Sequence, residues 1–195
     1  MKAPHAALKT LVSSRLRLEI LESLEHPMRL CDLRREIDAN APNTSTKAKD
    51  LETLGLITRK NGDYEMTPAG HLVRKRLDIL NDTLETLHDH GEFWERVLVD
   101  LPHELIERLH EFKGARLLRN TREDLETVKK ELIGMIHEAE HLELVLPVRC
   151  PRMLSAANGK GEITTLDDAD LHYGYLKTDK GTALFTELLD MCLVL

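Results

Sequence analysis

The tightest constraint on this chain lies in residues 43–66. Asn61-Gly62 sits between Leu56-Ile-Thr-Arg-Lys60 and Asp63-Tyr-Glu-Met66. Asn and Gly both accept positive φ, which a two-residue hairpin turn demands, so two short strands are expected around them. Gly55, just upstream, supplies the left-handed residue that ends a helix without steric penalty. The helix that it ends is predicted over 43–54, burying Ala48, Leu51 and Leu54 at i, i+3 and i+6. Its leading face is small and polar, with Asn43, Thr44, Ser45, Thr46 and Lys47, and it leaves Lys49 and Asp50 outside.

The flanking stretches fit a helix-turn-helix in front of that hairpin. A short helix over 4–12 carries Leu8, Leu11 and Val12 on one face. Ser13 or Ser14 caps a second helix, in which Leu16, Ile20, Leu21 and Leu24 recur at helical spacing, with Arg15, Arg17, Glu19 and Glu22 outside. His26-Pro27 ends it, because a residue before proline avoids the helical region. A minimal strand over 28–30, a helix over 32–37 and a compact connection ending at Pro42 lead into the helix of 43–54. Helix, turn, helix and hairpin is how a recognition helix and its wing read in sequence.

Thr67-Pro68 starts a long helix, to about residue 90, with Leu72, Leu77, Leu80, Leu84 and Leu87 along it. An apolar stripe of that length suits linking domains and pairing two protomers. Gly91 interrupts the helix, Phe93-Trp94 follow, and 100–110 reads as a helix with Pro102 in its first turn. Element types then alternate: strand 115–118, helix 121–140, strand 142–146, helix 150–157, strands 162–166 and 172–177 and a turn over 178–181; 183–195 is ambiguous between strand and helix, with a strand over 182–185 and a short tail helix the favoured reading. The expected fold class is α+β: a winged helix-turn-helix over 1–67, a linker and dimerisation helix over 68–90, and a small α/β regulatory domain over 91–195.

Charge supports this division. The net charge of −7 argues at first against nucleic acid, yet residues 1–76 hold 14 Lys and Arg against 10 Asp and Glu, a balance of +4, leaving −11 for the rest. Such asymmetry suggests one part facing DNA and another kept off it. With 4 % aromatic and 42 % apolar residues, the core is built of Leu, Ile and Val. No run of about 18 apolar residues exists and no apolar leader opens the chain, so a cytoplasmic protein without a membrane span is expected. Cys31, Cys150 and Cys192 are too dispersed for a disulfide framework or a zinc site, and reduced thiols are expected.

Catalytic signals are poor. His137-Glu-Ala-Glu-His141 is a literal H-E-x-x-H, which on a helix would offer two imidazoles to zinc with Glu138 as general base. Its position at the predicted end of a helix, just before the strand starting at Leu142, favours a solvated helix end. His88-Asp-His90 beside Glu92 reads as a frayed terminus. No phospholipase-like H-x-K, G-x-G-x-x-G, P-loop or G-x-S-x-G occurs. Neither an enzyme nor a cofactor is expected; a metal hydrolase is the outlying possibility, open to metal analysis.

Double-stranded DNA is the partner that the pattern favours. Thr44, Ser45, Thr46 and Lys47 suit base edges or phosphates when a helix N-terminus enters the major groove, and Asn43 suits adenine. Lys49 flanks them; Arg59, Lys60 and Asn61 form the wing tip, and Arg34 and Arg35 lie on the preceding helix, placed for phosphates. Arg17 joins the set from the outer side of the second helix. The rival reading is a winged-helix module that binds another protein, consistent with the net charge.

Several of these residues also match a known framework. Ser14-Arg-Leu-Arg17-Leu-Glu-Ile-Leu21, Leu33-Arg-Arg-Glu-Ile37, Leu51-Glu-Thr-Leu-Gly-Leu-Ile57 and Tyr64-Glu-Met-Thr-Pro-Ala-Gly70 resemble archaeal winged helix-turn-helix regulators of the ArsR-like group. Phe93-Trp94-Glu-Arg, Leu101-Pro-His-Glu-Leu-Ile-Glu-Arg-Leu109 and Thr178-Asp179 resemble the methanogenesis-regulatory subfamily, whose C-terminal domain is related to inactive phospholipase-D-like sensors. The resemblance implies homodimeric, sequence-specific DNA binding in an archaeal cytoplasm. It implies modulation by the C-terminal domain, in response to a small-molecule or protein effector that it does not identify. Members continue past the Thr-Asp turn through further strands and a closing helix, so a reduced sensor domain is expected here. The cysteine motif of metal-sensing relatives is missing, and no metal effector is implied.

Overall fold

The computed structural model describes residues 4–39, 41–98, 101, 103–119, 127–146, 150–165 and 173–186. The predicted tail helix, Cys192, the start of the helix at 121–126, Asp100, Pro102 and His172 lie outside them. The chain divides into two compact units, Met1–Leu80 and Asn81–Leu195. Its fold is α+β.

In the first unit, α1 (Pro4–Val12), α2 (Arg15–Ser23), β1 (Met28–Arg29), α3 (Leu30–Glu36), α4 (Ala41–Thr53), β2 (Ile57–Lys60) and β3 (Asp63–Met66) precede α5 (Pro68–Asp89). The antiparallel sheet has the order β1-β3-β2, with Met28 opposite Tyr64 and Ile57 opposite Met66. This is a winged helix-turn-helix. Asn61 at φ 54° and Gly62 at φ 95° make the tight turn of the wing, and Gly55 at φ 75° ends α4. Ile20, Leu21, Leu24, Leu33, Ala48, Leu51 and Ile57 form a dry core in which α2, α3 and α4 meet the sheet.

Local detail departs from the sequence expectation at helix starts. α3 begins at Leu30 and α4 at Ala41, each two residues early. In α4, Pro42 falls inside the first turn, where its missing N–H costs nothing. Ser14 holds the N-cap position of α2 without a capping side-chain bond, while the Ser13 hydroxyl donates to Thr10 O at 3.1 Å.

The second unit holds α6 (Gly91–Val97), α7 (His103–Glu107), a 3-10 turn (Leu109–Phe112), β4 (Arg116–Leu118), α8 (Thr127–Glu138), β5 (Leu142–Leu146), α9 (Pro151–Ala157), β6 (Gly161–Thr165), β7 (Tyr173–Thr178) and β8 (Gly181–Thr186). The five strands run in the order β4-β8-β7-β5-β6; the two outer pairs are parallel and the inner two antiparallel. Side-chain alternation buries both faces of the sheet. Leu142, Leu144, Leu146, Leu176, Ala183 and Phe185 pack with α8 and α9, whereas Val145, Tyr175 and Leu184 pack with Phe93, Trp94, Leu109 and Phe112. The result is the layered α/β arrangement expected from alternating elements. Sequence periodicity did not indicate α6, whose buried Phe93, Trp94 and Val97 hold it to the core. Among the described residues, no helix is long and apolar enough to cross a membrane.

Candidate nucleic-acid interface

Helix α4 has one buried and one open side. Thr44, Ala48 and Leu51, spaced i, i+4, i+7, are fully buried. Asn43, Ser45, Thr46 and Lys49 are exposed and Lys47 is half-buried. Thr44 lies one turn before Ala48 on the core stripe of α4 and is buried rather than on the open face, contrary to the sequence expectation. Carrying the apolar stripe back four residues from Ala48 would have found this. The Thr46 hydroxyl donates to Pro42 O at 2.9 Å, which ties its hydrogen to the helix.

Arg17 also lies elsewhere than the sequence expectation places it. It is 8 % exposed rather than on the outer side of α2. Its Nε and Nη2 donate to Asp50 Oδ2 on α4 at 3.1 and 2.7 Å. Nη1 donates to Ser13 Oγ at 3.2 Å and to Thr10 O. The signal was available: Arg17 stands three and four residues before Ile20 and Leu21, on the apolar face itself.

The wing carries its cations in defined poses. Arg59 faces Tyr64 across the hairpin, with its guanidinium carbon 5.6 Å from the ring centroid over a buried ring. Lys60 pairs with Glu65, and Arg29 approaches Asp63 at 3.7 Å. Asn61 is exposed at the turn. On α3, Arg35 is exposed and 3.5 Å from Asp32, while Arg34 is half-buried and its Nε finds no hydrogen-bond partner.

The H-E-x-x-H stretch is a helix stop. α8 ends at Glu138, so His141 lies beyond the helix that would have aligned it with His137. Lys160 Nζ donates to the carbonyls of Ile136, His137 and Ala139 at 2.9, 2.9 and 3.0 Å, and Lys180 Nζ donates to Glu138 O at 2.6 Å. Asp179 Oδ1 accepts the N–H groups of Glu140 and His141 at 3.0 and 3.3 Å. Two lysines therefore satisfy carbonyls that every helix end leaves open. His90 Nε2 lies 2.6 Å from Ala115 O. Among the described residues, no cluster of three His, Cys, Asp or Glu could hold a metal.

A charged network in the second unit had no counterpart in the sequence reading. Arg108 engages both oxygens of Glu143 at 2.9 and 2.8 Å and both of Glu111 at 3.0 and 2.8 Å. Lys177 also pairs with Glu111, and the Tyr175 hydroxyl donates to Glu143. The Arg108 guanidinium holds the Glu111 carboxyl down at about 2 and lowers that of Glu143 as well. Burial, followed by the Glu143 carboxylate, pushes the Tyr175 phenol up. Glu143, a lone charge inside Leu142–Leu146, was the available signal.

Fold and surface together define a winged-helix protein with a second, three-layered α/β unit. Residues 5–89 match the model of a family described as HVO_A0261 N-terminal domain. No curated protein sequence matches the chain. Solved structures with similarity include T. acidophilum IdeR, 19 % identical over 53 % of this chain and 55 % of that one, with a TM-score of 0.33. PigF with SAH is 10 % identical over 83 % and 58 %, with a TM-score of 0.31. TrmBL2, an archaeal chromatin protein described as showing a novel mode of DNA binding, is 16 % identical over 92 % and 84 %, with a TM-score of 0.28. The chain spans little more than half the length of the first two, and likenesses this slight carry no argument about function.

Proposed function

We propose that the chain is a sequence-specific, DNA-binding transcription regulator that acts as a homodimer, with its α/β unit modulating DNA binding. The observation that carries the reading is α4, a helix with a small polar open face followed directly by a wing bearing Arg59, Lys60 and Asn61. Asn43, Ser45, Thr46, Lys47 and Lys49 would read the major groove, and Arg34, Arg35, Arg59, Lys60 and Asn61 would hold phosphates. The basic balance of residues 1–76 agrees with this. Leu72, Leu80 and Leu84 on α5 are 61, 52 and 57 % exposed, an apolar stripe suited to a second copy. In such a dimer the two α4 helices would enter major grooves about 34 Å apart. Kinship with ArsR-like archaeal regulators of the methanogenesis type, and action in the cytoplasm, belong to this same reading.

The test is selection of fragments from the source genome, followed by binding over a salt series. Affinity should fall steeply as salt rises, and Lys47→Glu with Arg59→Glu should weaken it by about tenfold or more. Leu84→Glu should yield monomers in sedimentation equilibrium. Affinity for genomic DNA unchanged by the two charge reversals would remove the DNA reading. It would favour a protein-binding winged helix, a reading that draws on the internal pairing of Lys60 with Glu65 and on the net charge of −7.

A further inference from the structure

We propose that Arg17 is a positioning residue that sets the rotation of α4, and through it the sequence selectivity of the chain. The inference rests on the DNA-binding reading above. Apolar contacts hold α4 to the core through Ala48, Leu51 and Leu54 and choose the face that is buried, but the hydrophobic effect itself is non-directional. The guanidinium of Arg17 is directional. Its planar fork joins one oxygen of Asp50, in the last turn of α4, to Thr10 O near the end of α1 and to Ser13 Oγ in the α1–α2 junction.

Burial makes the fork obligatory. A cation that is 8 % exposed needs a counter-charge and filled donors, and Asp50, Ser13 and Thr10 supply both. Asp50 in turn lies beside Lys49 and one turn beyond Thr46 and Lys47. A change in the roll of Asp50 therefore displaces the very side chains that face DNA. Arg17 acts on recognition without touching the nucleic acid.

The two roles for a cation here, phosphate contact and internal anchor, predict different salt behaviour. Full-length wild type, Arg17→Lys, Arg17→Met, Asp50→Asn and Arg17→Met with Asp50→Ala are compared on a genome-selected duplex and a random duplex, each over a salt series. Urea unfolding identifies the folded variants; should Arg17→Met fail to fold, Arg17→Lys and Asp50→Asn carry the comparison. Expected is a loss of about tenfold in the selected-to-random ratio for every variant, including Arg17→Lys, which keeps the charge and loses the fork. The slope of log affinity against log salt stays at its wild-type value, and the double variant is no worse than the worse single one.

Retained selectivity in Arg17→Lys, or a slope in Arg17→Met reduced by the about 0.9 of one lost phosphate contact, overturns the proposal. Hydrogen exchange in the free chain separates its failure from that of the DNA reading. Faster exchange of amides 45–53 in Arg17→Met, with α8 unchanged, supports Arg17 as the anchor of α4. Should wild type then show no selectivity, the DNA reading falls alone. Unchanged exchange there overturns the anchor, whatever the DNA does.

Discussion

Gly70 shows how a single hydrogen atom can settle a junction. It is the third residue of α5, and a Cβ built there would fall 2.0 Å from Leu56 O. The Thr67 hydroxyl accepts the Gly70 N–H at 3.0 Å and points back to Gly55 O at 2.7 Å, so the start of α5 is seated against the end of α4. Gly70→Ala should destabilise the first unit by about 1–3 kcal/mol in urea unfolding, since backbone must move to admit the methyl group. The Arg108 network gives a second prediction at this scale. Folding lowers the Glu111 carboxyl from its ordinary 4.5 to about 2, so the unfolded chain takes up the proton first. The stabilisation is therefore whole above that ordinary value and is lost as pH falls toward the lower one. The gap in unfolding free energy between wild type and Glu111→Gln, measured at steps of pH, should close across that window and stay open at neutral pH. The residues misread from sequence were those whose polarity conflicts with their place. Arg17 and Thr44 occupy core stripes, and Glu143 interrupts an apolar strand; periodicity located each position, while residue type argued the other way.

At the scale of elements, strands and turns were legible because their signals are local: Asn61-Gly62 fell at the hairpin turn, and Leu142–Leu146 matches the predicted strand. Helix ends were less so. α6 has seven residues, too few to be stable alone, and exists because Phe93, Trp94 and Val97 are buried and Trp94 Nε1 donates to Thr86 O at 2.8 Å. α8 stops where Lys160 and Lys180 fill the carbonyls of its end and Asp179 holds the N–H groups of Glu140 and His141 just beyond, all three distant in sequence. No local window holds those three residues with the helix that they end. Lys160→Met keeps the apolar stem and removes the three donated bonds, and should cost the second unit about 1–3 kcal/mol in chemical unfolding. The first unit should be unaffected, a difference that amide exchange followed residue by residue would reveal. Equal losses in both units would show that the cap is not what holds the second one.

For the molecule as a whole, the charge split and the leucines of the long helix suggest a DNA-facing part, a linker helix and a regulatory part. What no single-sequence reading can supply is pairing order: the second sheet places β8 between β4 and β7 and so joins strands far apart in the chain. α5 crosses from one unit to the other between Leu80 and Asn81 without a break. A continuous helix transmits phase as well as distance. One residue inserted after Leu80 turns everything beyond it by about 100° and advances it by about 1.5 Å, whereas seven restore the facing to within about 20° at an added length of about 10.5 Å. Any control that the α/β unit exerts on DNA binding should therefore vary periodically with insertion length, returning near seven residues and lost between. Coupling that declined smoothly with length would instead mark α5 as a tether. A periodic return would make the register of α5 a heritable setting, as open to mutation as any side chain.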